Sequence, residues 1–282
     1  MTNDLRQALE AGDLFARKSL GQHFLLDLNL TAKIARLAQI KPGACVLEIG
    51  PGPGGLTRAL LDSPAAKIIV IEKDPRFVAH LKGFFAADLG RLSVVEGDAL
   101  DMDEAKLLAE HGFDRAQIVA NLPYNVGTPL LVKWLKAGPW RGPMCLMFQE
   151  EVAERIVATP PSPHYGRLAI LTAARARARI AMRVPRTAFI PPPKVESAIV
   201  ILEDRKDPFA DLTGLEHITA QAFGQRRKML RASLKGLGQA ETLLSAAQID
   251  PTARPETLPP EAFFTLTQSW RHFTQSPPTV EE

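Results

Sequence analysis

The sequence predicts an α/β fold followed by a small all-α domain, on three observations. Short apolar runs alternate with helical patterns between residues 44 and 148. Around Glu203 to Asp211 the composition turns polar and strand signals stop. From Leu215 onward the chain reads as several short helices. Buried strands separated by helices need crossover connections, so the sheet they build is parallel.

Ala44 to Ile49, Lys67 to Glu72, Leu92 to Glu96, Gln117 to Ala120 and Met144 to Phe148 read as strands, each a short apolar run. Between them Leu56 to Leu61, Pro75 to Ala86, Asp103 to His111 and Pro129 to Lys136 read as helices. Thr128 is expected to cap the last of these, with Pro129 at the first helical position. Leu168 to Arg175 reads as a further helix. Arg179, Ala181 and Arg183 then alternate with Ile180, Met182 and Val184, the period of a strand with one apolar face, and Pro185 closes it. A proline-rich turn, Phe189 to Lys194, leads by a tight loop into a strand from Ser197 to Leu202. These two late strands are expected as an antiparallel pair at the sheet edge, where Arg179 and Arg183 share one face and either guard against aggregation as solvated charges, the favoured reading, or extend an RNA surface. Domains are placed at residues 1–205 and 206–275, Gly236 and Gly238 breaking the helices and residues 257–261 starting one. Residues 276–282 read as a disordered tail.

Composition narrows the chemistry. The 282 residues are 46% hydrophobic and 23% charged, enough for a large core and a small one without disulfide staples. Cys45 and Cys145 lie outside any Cys/His cluster, so no metal site is expected and a reducing compartment is. The first twenty residues carry charges throughout, and no later run reaches the ~18 apolar residues that span a bilayer. A cytoplasmic protein without membrane contact is the expectation. Net charge is only +3, but Arg226, Arg227, Lys228, Arg231 and Lys235 fall in a stretch with no acid. That stretch is either a solvated helix face or a phosphate-contacting one.

After the first strand, Gly50, Gly52 and Gly55 satisfy G-x-G-x-x-G, and Glu72 ends the next strand where a carboxylate can accept from both hydroxyls of a ribose. This is a Rossmann-like arrangement for a nucleoside cofactor, and a nicotinamide dehydrogenase would share it. Two features favour S-adenosylmethionine. Pro51 and Pro53 remove backbone N–H donors that a pyrophosphate would need. Asp98, in Gly97-Asp98-Ala99 after the third strand, can accept from an adenine amino group, although an Asx turn is an equally good account of it.

The fourth strand ends in Asn121-Leu122-Pro123-Tyr124-Asn125. An exocyclic adenine nitrogen is a poor nucleophile because its lone pair is delocalised into the ring. The Asn121 side-chain oxygen and the Leu122 carbonyl can each accept one of its N–H groups. Pro123 stiffens the backbone, and the Tyr124 ring can stack on the base. No strong general base is required, because the methylated ammonium is itself acidic.

Seven motifs together resemble the ribosomal-RNA adenine dimethyltransferases, and among them the bacterial small-subunit branch. They are G-Q-H-F-L at 21–25, E-I-G-P-G at 48–52, E-K-D at 72–74, G-D-A at 97–99, N-L-P-Y-N at 121–125, F-I-P-P-P-K-V-E-S at 189–197 and A-F-G-Q-R-R-K-M-L-R-A-S-L at 222–234. The resemblance runs from about Lys18 to Phe263. It implies a class I methyltransferase sheet, with His23 and Leu25 closing over S-adenosylmethionine, Gly50 at its methionine part, Glu72 at its ribose and Asp98 at its adenine. Gly52, Lys73 and Ala99 stand in the same motifs and join the cofactor set. Asn121 would meet both cofactor and target, with Tyr124 and Phe189 stacking on the flipped base. Members commonly carry asparagine where this chain has His23. The implied substrate is a pair of adjacent adenines in a hairpin loop near the 3′ end of small-subunit ribosomal RNA, each receiving two methyls. The protein would act as a monomer on an immature 30S particle, the cationic stretch holding RNA. An assembly factor that mainly binds the particle is a separate class of reading, and an enzyme acting on large-subunit RNA is the near alternative.

Overall fold

A computed structural model describes residues 5, 7, 14–15, 21–225 and 228–275. Its packing divides the chain into two units: residues up to Ala153 together with Arg179–Glu203, and Glu154–Ala178 together with residues from Asp204 onward. The sequence reading left Glu154–Ala178 in the first domain. They group with the later helices because helix α7, Arg167–Arg175, buries six of its nine residues, including Leu168, Ile170 and Leu171. Each such side chain contributes roughly 1.5–3 kcal/mol when covered, so a helix this apolar needs a cover. Phe209 N donates to the Ala174 carbonyl at 2.8 Å, and Tyr165 packs edge-on against Phe223.

Among the described residues the first unit is built on a seven-stranded sheet in the order β4-β3-β2-β5-β6-β9-β7. The strands are β2 (Cys45–Ile49), β3 (Lys67–Glu72), β4 (Leu92–Glu96), β5 (Ala116–Asn121), β6 (Arg141–Gln149), β7 (Ala176–Val184) and β9 (Ser197–Asp204). β4, β3, β2, β5 and β6 are mutually parallel, and β9 joins antiparallel to β6. Val46, Leu47, Ile68, Ile69, Val70, Ile118 and Val119 are wholly buried, as strands covered on both faces must be. The connecting helices are α2 (Gly55–Leu61), α3 (Pro75–Phe84), α4 (Glu104–Glu110) and α5 (Gly127–Lys136), and α6 (Glu150–Val157) follows β6. Among the described residues, no helix is long and apolar enough to cross a membrane, and no group of three or more His, Cys, Asp or Glu is placed to hold a metal. Both cysteines are buried and free.

Three local expectations change. α5 opens earlier than the sequence indicates, with Val126 in the cap position rather than Thr128. Val126 N and Gly127 N both donate to the Pro123 carbonyl at 3.1 Å, so the turn of the N-L-P-Y-N motif runs directly into the helix. The late strands are not joined by a tight loop. Between them lies β8 (Phe189–Ile190), which leaves the main sheet to pair antiparallel with β1 (Phe24–Leu25), setting Phe24 against Ile190 and Leu25 against Phe189. A helix α1, Leu28–Leu37, follows β1 where the sequence reading placed none. It is capped by Asp27, whose carboxylate accepts from Asn29 N and Leu30 N.

The β1 segment fits only because α2 begins with glycine. A Cβ at Gly55 would sit 2.2 Å from the Leu25 carbonyl oxygen, a backbone atom that cannot swing aside. Gly55→Ala is therefore expected to cost about 1–3 kcal/mol of stability through overpacking, read as a lowered midpoint in chemical denaturation.

Candidate active site

Because β2 to β5 run parallel, their carboxyl ends share one edge of the sheet. There a cavity of about 130 Å³ opens, lined by the loops that follow each strand and by the segment at 21–25. His23, Leu25, Gly50, Gly52, Glu72, Lys73, Asp98, Ala99, Asn121, Leu122, Pro123 and Tyr124 all border it. Phe189 does not. It is 1% exposed and belongs to the core cluster, on β8 where that strand pairs with β1. Arg226 and Arg227 fall outside the described residues, while Lys228, Arg231 and Lys235 are exposed on the helical unit.

The glycine loop is shaped by the carboxylate across from it. Gly50 holds φ +63°, a conformation glycine adopts without strain, and a Cβ there would touch the Pro123 ring. Gly52 N donates to Glu72 Oε2 at 3.1 Å, and Asp74 N donates to Oε1 at 2.8 Å. Glu72 thus braces the loop and keeps lone pairs for a ligand. Burial pushes its pKa upward, against the pull of these backbone donors. Glu48, one strand over, is buried in the same wall. Desolvation raises its pKa to about 8, opposed by the Thr57 hydroxyl donating at 2.7 Å and reinforced by the charge of Glu72. At neutral pH Glu48 is largely uncharged, which spares Glu72 a second negative charge in the same wall.

Asp98 behaves in the opposite way. Its Oδ2 accepts from Lys73 Nζ at 2.6 Å and its Oδ1 from Leu100 N at 2.9 Å. The lysine hydrogen bond, seconded by the backbone one, holds the carboxyl below its usual range, so it is ionised and can only accept. Its loop is fixed by a residue the sequence reading overlooked. Lys133 on α5 donates to the Ala99 carbonyl at 2.7 Å, the Met102 carbonyl at 2.6 Å and Glu104 Oε1 at 2.9 Å, and buried Trp134 donates its indole N–H to the same oxygen. Lys133 is one of two lysines in an otherwise apolar helix, and nothing in the spacing names its partners.

Asn121 ends β5. Its Nδ2 donates to the His23 carbonyl at 3.1 Å. A carbonyl only accepts, so this bond fixes which way round the amide sits and leaves Oδ1 as the group it can offer a ligand. His23 is itself held by its ring Nδ1, 2.7 Å from the Pro191 carbonyl, which requires the proton on that nitrogen. The His23 and Tyr124 rings lie 5.3 Å apart. The site therefore presents acceptors in series: a bidentate carboxylate, an ionised aspartate and a neutral amide oxygen beside an aromatic ring.

A family model for ribosomal RNA adenine dimethylase matches residues 14–271. The chain belongs to that family. Relatives of this adenine dimethylase named ribosomal RNA small subunit methyltransferase A include one from Phenylobacterium zucineum, 54% identical over 98% of this chain and 95% of its own length. Another, from Mesorhizobium japonicum, is 55% identical over 94% of this chain and 97% of its own. Among solved structures, a dimethyladenosine transferase from Plasmodium falciparum superposes with TM-score 0.74 at 27% identity, covering 88% of this chain and 96% of that one. The 23S rRNA methyltransferase ErmE gives 0.66 at 27% identity, covering 88% and 99%. The adenine dimethylase fold seen here is accordingly the class I methyltransferase sheet, and the cofactor of the family is S-adenosylmethionine. The residues present fit that group. Gly50 and Gly52 hold the positive-φ turn that borders the cavity, Glu72 suits a ribose diol and Asp98 an amine.

Two outcomes follow for cofactor binding. Glu72 accepts from hydroxyls best when ionised, and its pKa is raised in the free protein, so protonation competes with binding as pH falls. Affinity measured by calorimetry between about pH 8 and pH 5 should decline toward acid, while Glu72→Gln binds roughly 10- to 100-fold more weakly with a flatter profile. Lys133→Met should weaken cofactor binding by about tenfold in the same assay by freeing the Asp98–Met102 loop.

Proposed function

We propose that the chain transfers methyl groups from S-adenosylmethionine to N6 of two adjacent adenines in the 3′-terminal hairpin loop of 16S ribosomal RNA. The assignment to small-subunit RNA rests on relatives of that name at 54–55% identity over nearly the whole chain. The observation that carries the chemistry is the Asn121 amide, whose nitrogen is tied to the His23 carbonyl.

When bound, the cofactor supplies an electrophilic methyl. The protein's task is to present the nucleophile. Asn121 Oδ1 and the Leu122 carbonyl accept the two N–H groups of the adenine amine, which draws its lone pair out of conjugation and holds it in line. Both acceptors are neutral, so the ammonium formed by transfer is not trapped as an ion pair and sheds its proton to water. Pro123 keeps the two acceptors in register, and Tyr124 covers the face of the base. Leu25, paired with β8, and His23, held by the Pro191 carbonyl, cover the cofactor side. Phe189, buried and paired with Leu25, adjoins this clip.

RNA is engaged through the helical unit. Lys228, Arg231 and Lys235 are exposed on one short segment, and their charge suits the phosphates flanking a hairpin loop. The protein acts as a monomer in the cytoplasm on the immature 30S particle, and the same cationic segment supports a role in small-subunit biogenesis.

The test is to incubate the protein with undermethylated small subunits and labelled S-adenosylmethionine and to map the modified bases. Dimethylation at the two adjacent adenines is expected; modification elsewhere refutes the assignment. Asn121→Ala should slow transfer by at least about 100-fold while cofactor affinity falls at most severalfold.

A further inference from the structure

Ser197 opens β9 in the run S-A-I-V-I-L, and it is completely buried. A hydroxyl in so apolar a strand needs a partner, since leaving it unpaired costs more than an alanine would. Its partner comes from 73 positions away: Ser197 Oγ lies 2.6 Å from Tyr124 Oη. The serine has little freedom of its own. Its backbone pairs with Gln149 at the end of β6, and the neighbouring Glu196 carbonyl accepts from Glu150 N at 3.0 Å. Tyr124 is different: it stands on the loop between β5 and α5, half-buried, with the His23 ring 5.3 Å away. Burial pushes its phenol pKa upward, so the group stays a neutral hydroxyl that can share this bond at any working pH.

We infer that Ser197 is a positioning residue for methyl transfer, fixing the angle of the Tyr124 ring by holding its hydroxyl. This rests on the reading that Tyr124 covers the target adenine. A ring hinged at Cβ on a loop sweeps an arc. Anchoring its far atom to a strand of the main sheet removes that motion, so the adenine meets a surface already at the angle that aligns its amine with Asn121. Asn121 is thus set from one side through His23 and Tyr124 from the other through β9.

The test is a double-mutant cycle on the full-length protein with undermethylated small subunits. Ser197→Ala and Tyr124→Phe each remove one end of the bond and keep the ring. Each is expected to lower kcat by about tenfold, as misplacement of a reacting group does, with cofactor affinity little changed. The melting temperature should hold in Ser197→Ala and fall somewhat in Tyr124→Phe, which leaves the buried serine hydroxyl unpaired. The double variant should be no slower than either single one. Unchanged kcat in Ser197→Ala overturns the inference, and so does a double variant whose loss is the product of the two. Tyr124→Ala separates this from the underlying reading. Full activity there refutes the base-stacking role itself, whereas a large loss beside a normal Ser197→Ala refutes the role of the serine alone.

Discussion

Five parallel strands deliver their carboxyl ends to one edge, and the site depends on that constraint. Backbone groups at such an edge have run out of ladder partners, and the chain must turn there into a helix. Polar residues at the turns are therefore brought within reach of one another although they lie up to about a hundred positions apart, as Asn121 and His23 do. What converts an edge into a closed site is the short β1–β8 pairing, which sets residues 24–25 against 189–190. It exists only because the start of α2 has no side chain to obstruct it.

The charges along the edge are graded by environment rather than by residue type. Glu48 and Glu72 are neighbours on adjacent strands, yet Glu48 is pushed to about 8 with one hydroxyl for company, while Glu72 keeps two backbone donors. Asp98 lies nearer solvent, and its lysine partner favours its ionised form. In the proposed mode of binding, a carboxylate then meets each N–H or O–H group of the cofactor, and a neutral amide faces the amine that becomes a cation. A carboxylate in place of Asn121 would hold the product ammonium as an ion pair and slow its deprotonation.

Much of this was legible in the chain. The apolar runs, the glycine loop, and Glu72, Asp98 and Asn121 at successive strand ends follow from local chemistry, because strand period and turn preference are properties of neighbouring residues. Other features were not. Residues 154–178 were assigned to the wrong neighbour because no change of composition marks position 154, and only packing shows that α7 needs the later helices. The burial of Phe189 is not legible either, because an aromatic residue beside prolines reads the same in the sequence whether it faces a ligand or the core.

The sequence by itself determined the fold class, the family, the cofactor and the order of acceptors along the sheet, since each is written in contiguous motifs. Only the tertiary structure decided which way the Asn121 amide faces, that Lys133 staples the Asp98 loop, and that Ser197 holds Tyr124. These are contacts between residues 29 to 98 positions apart. Their donors and acceptors are satisfied by position in space, and a single lysine, serine or asparagine carries no local sign of the partner it will meet.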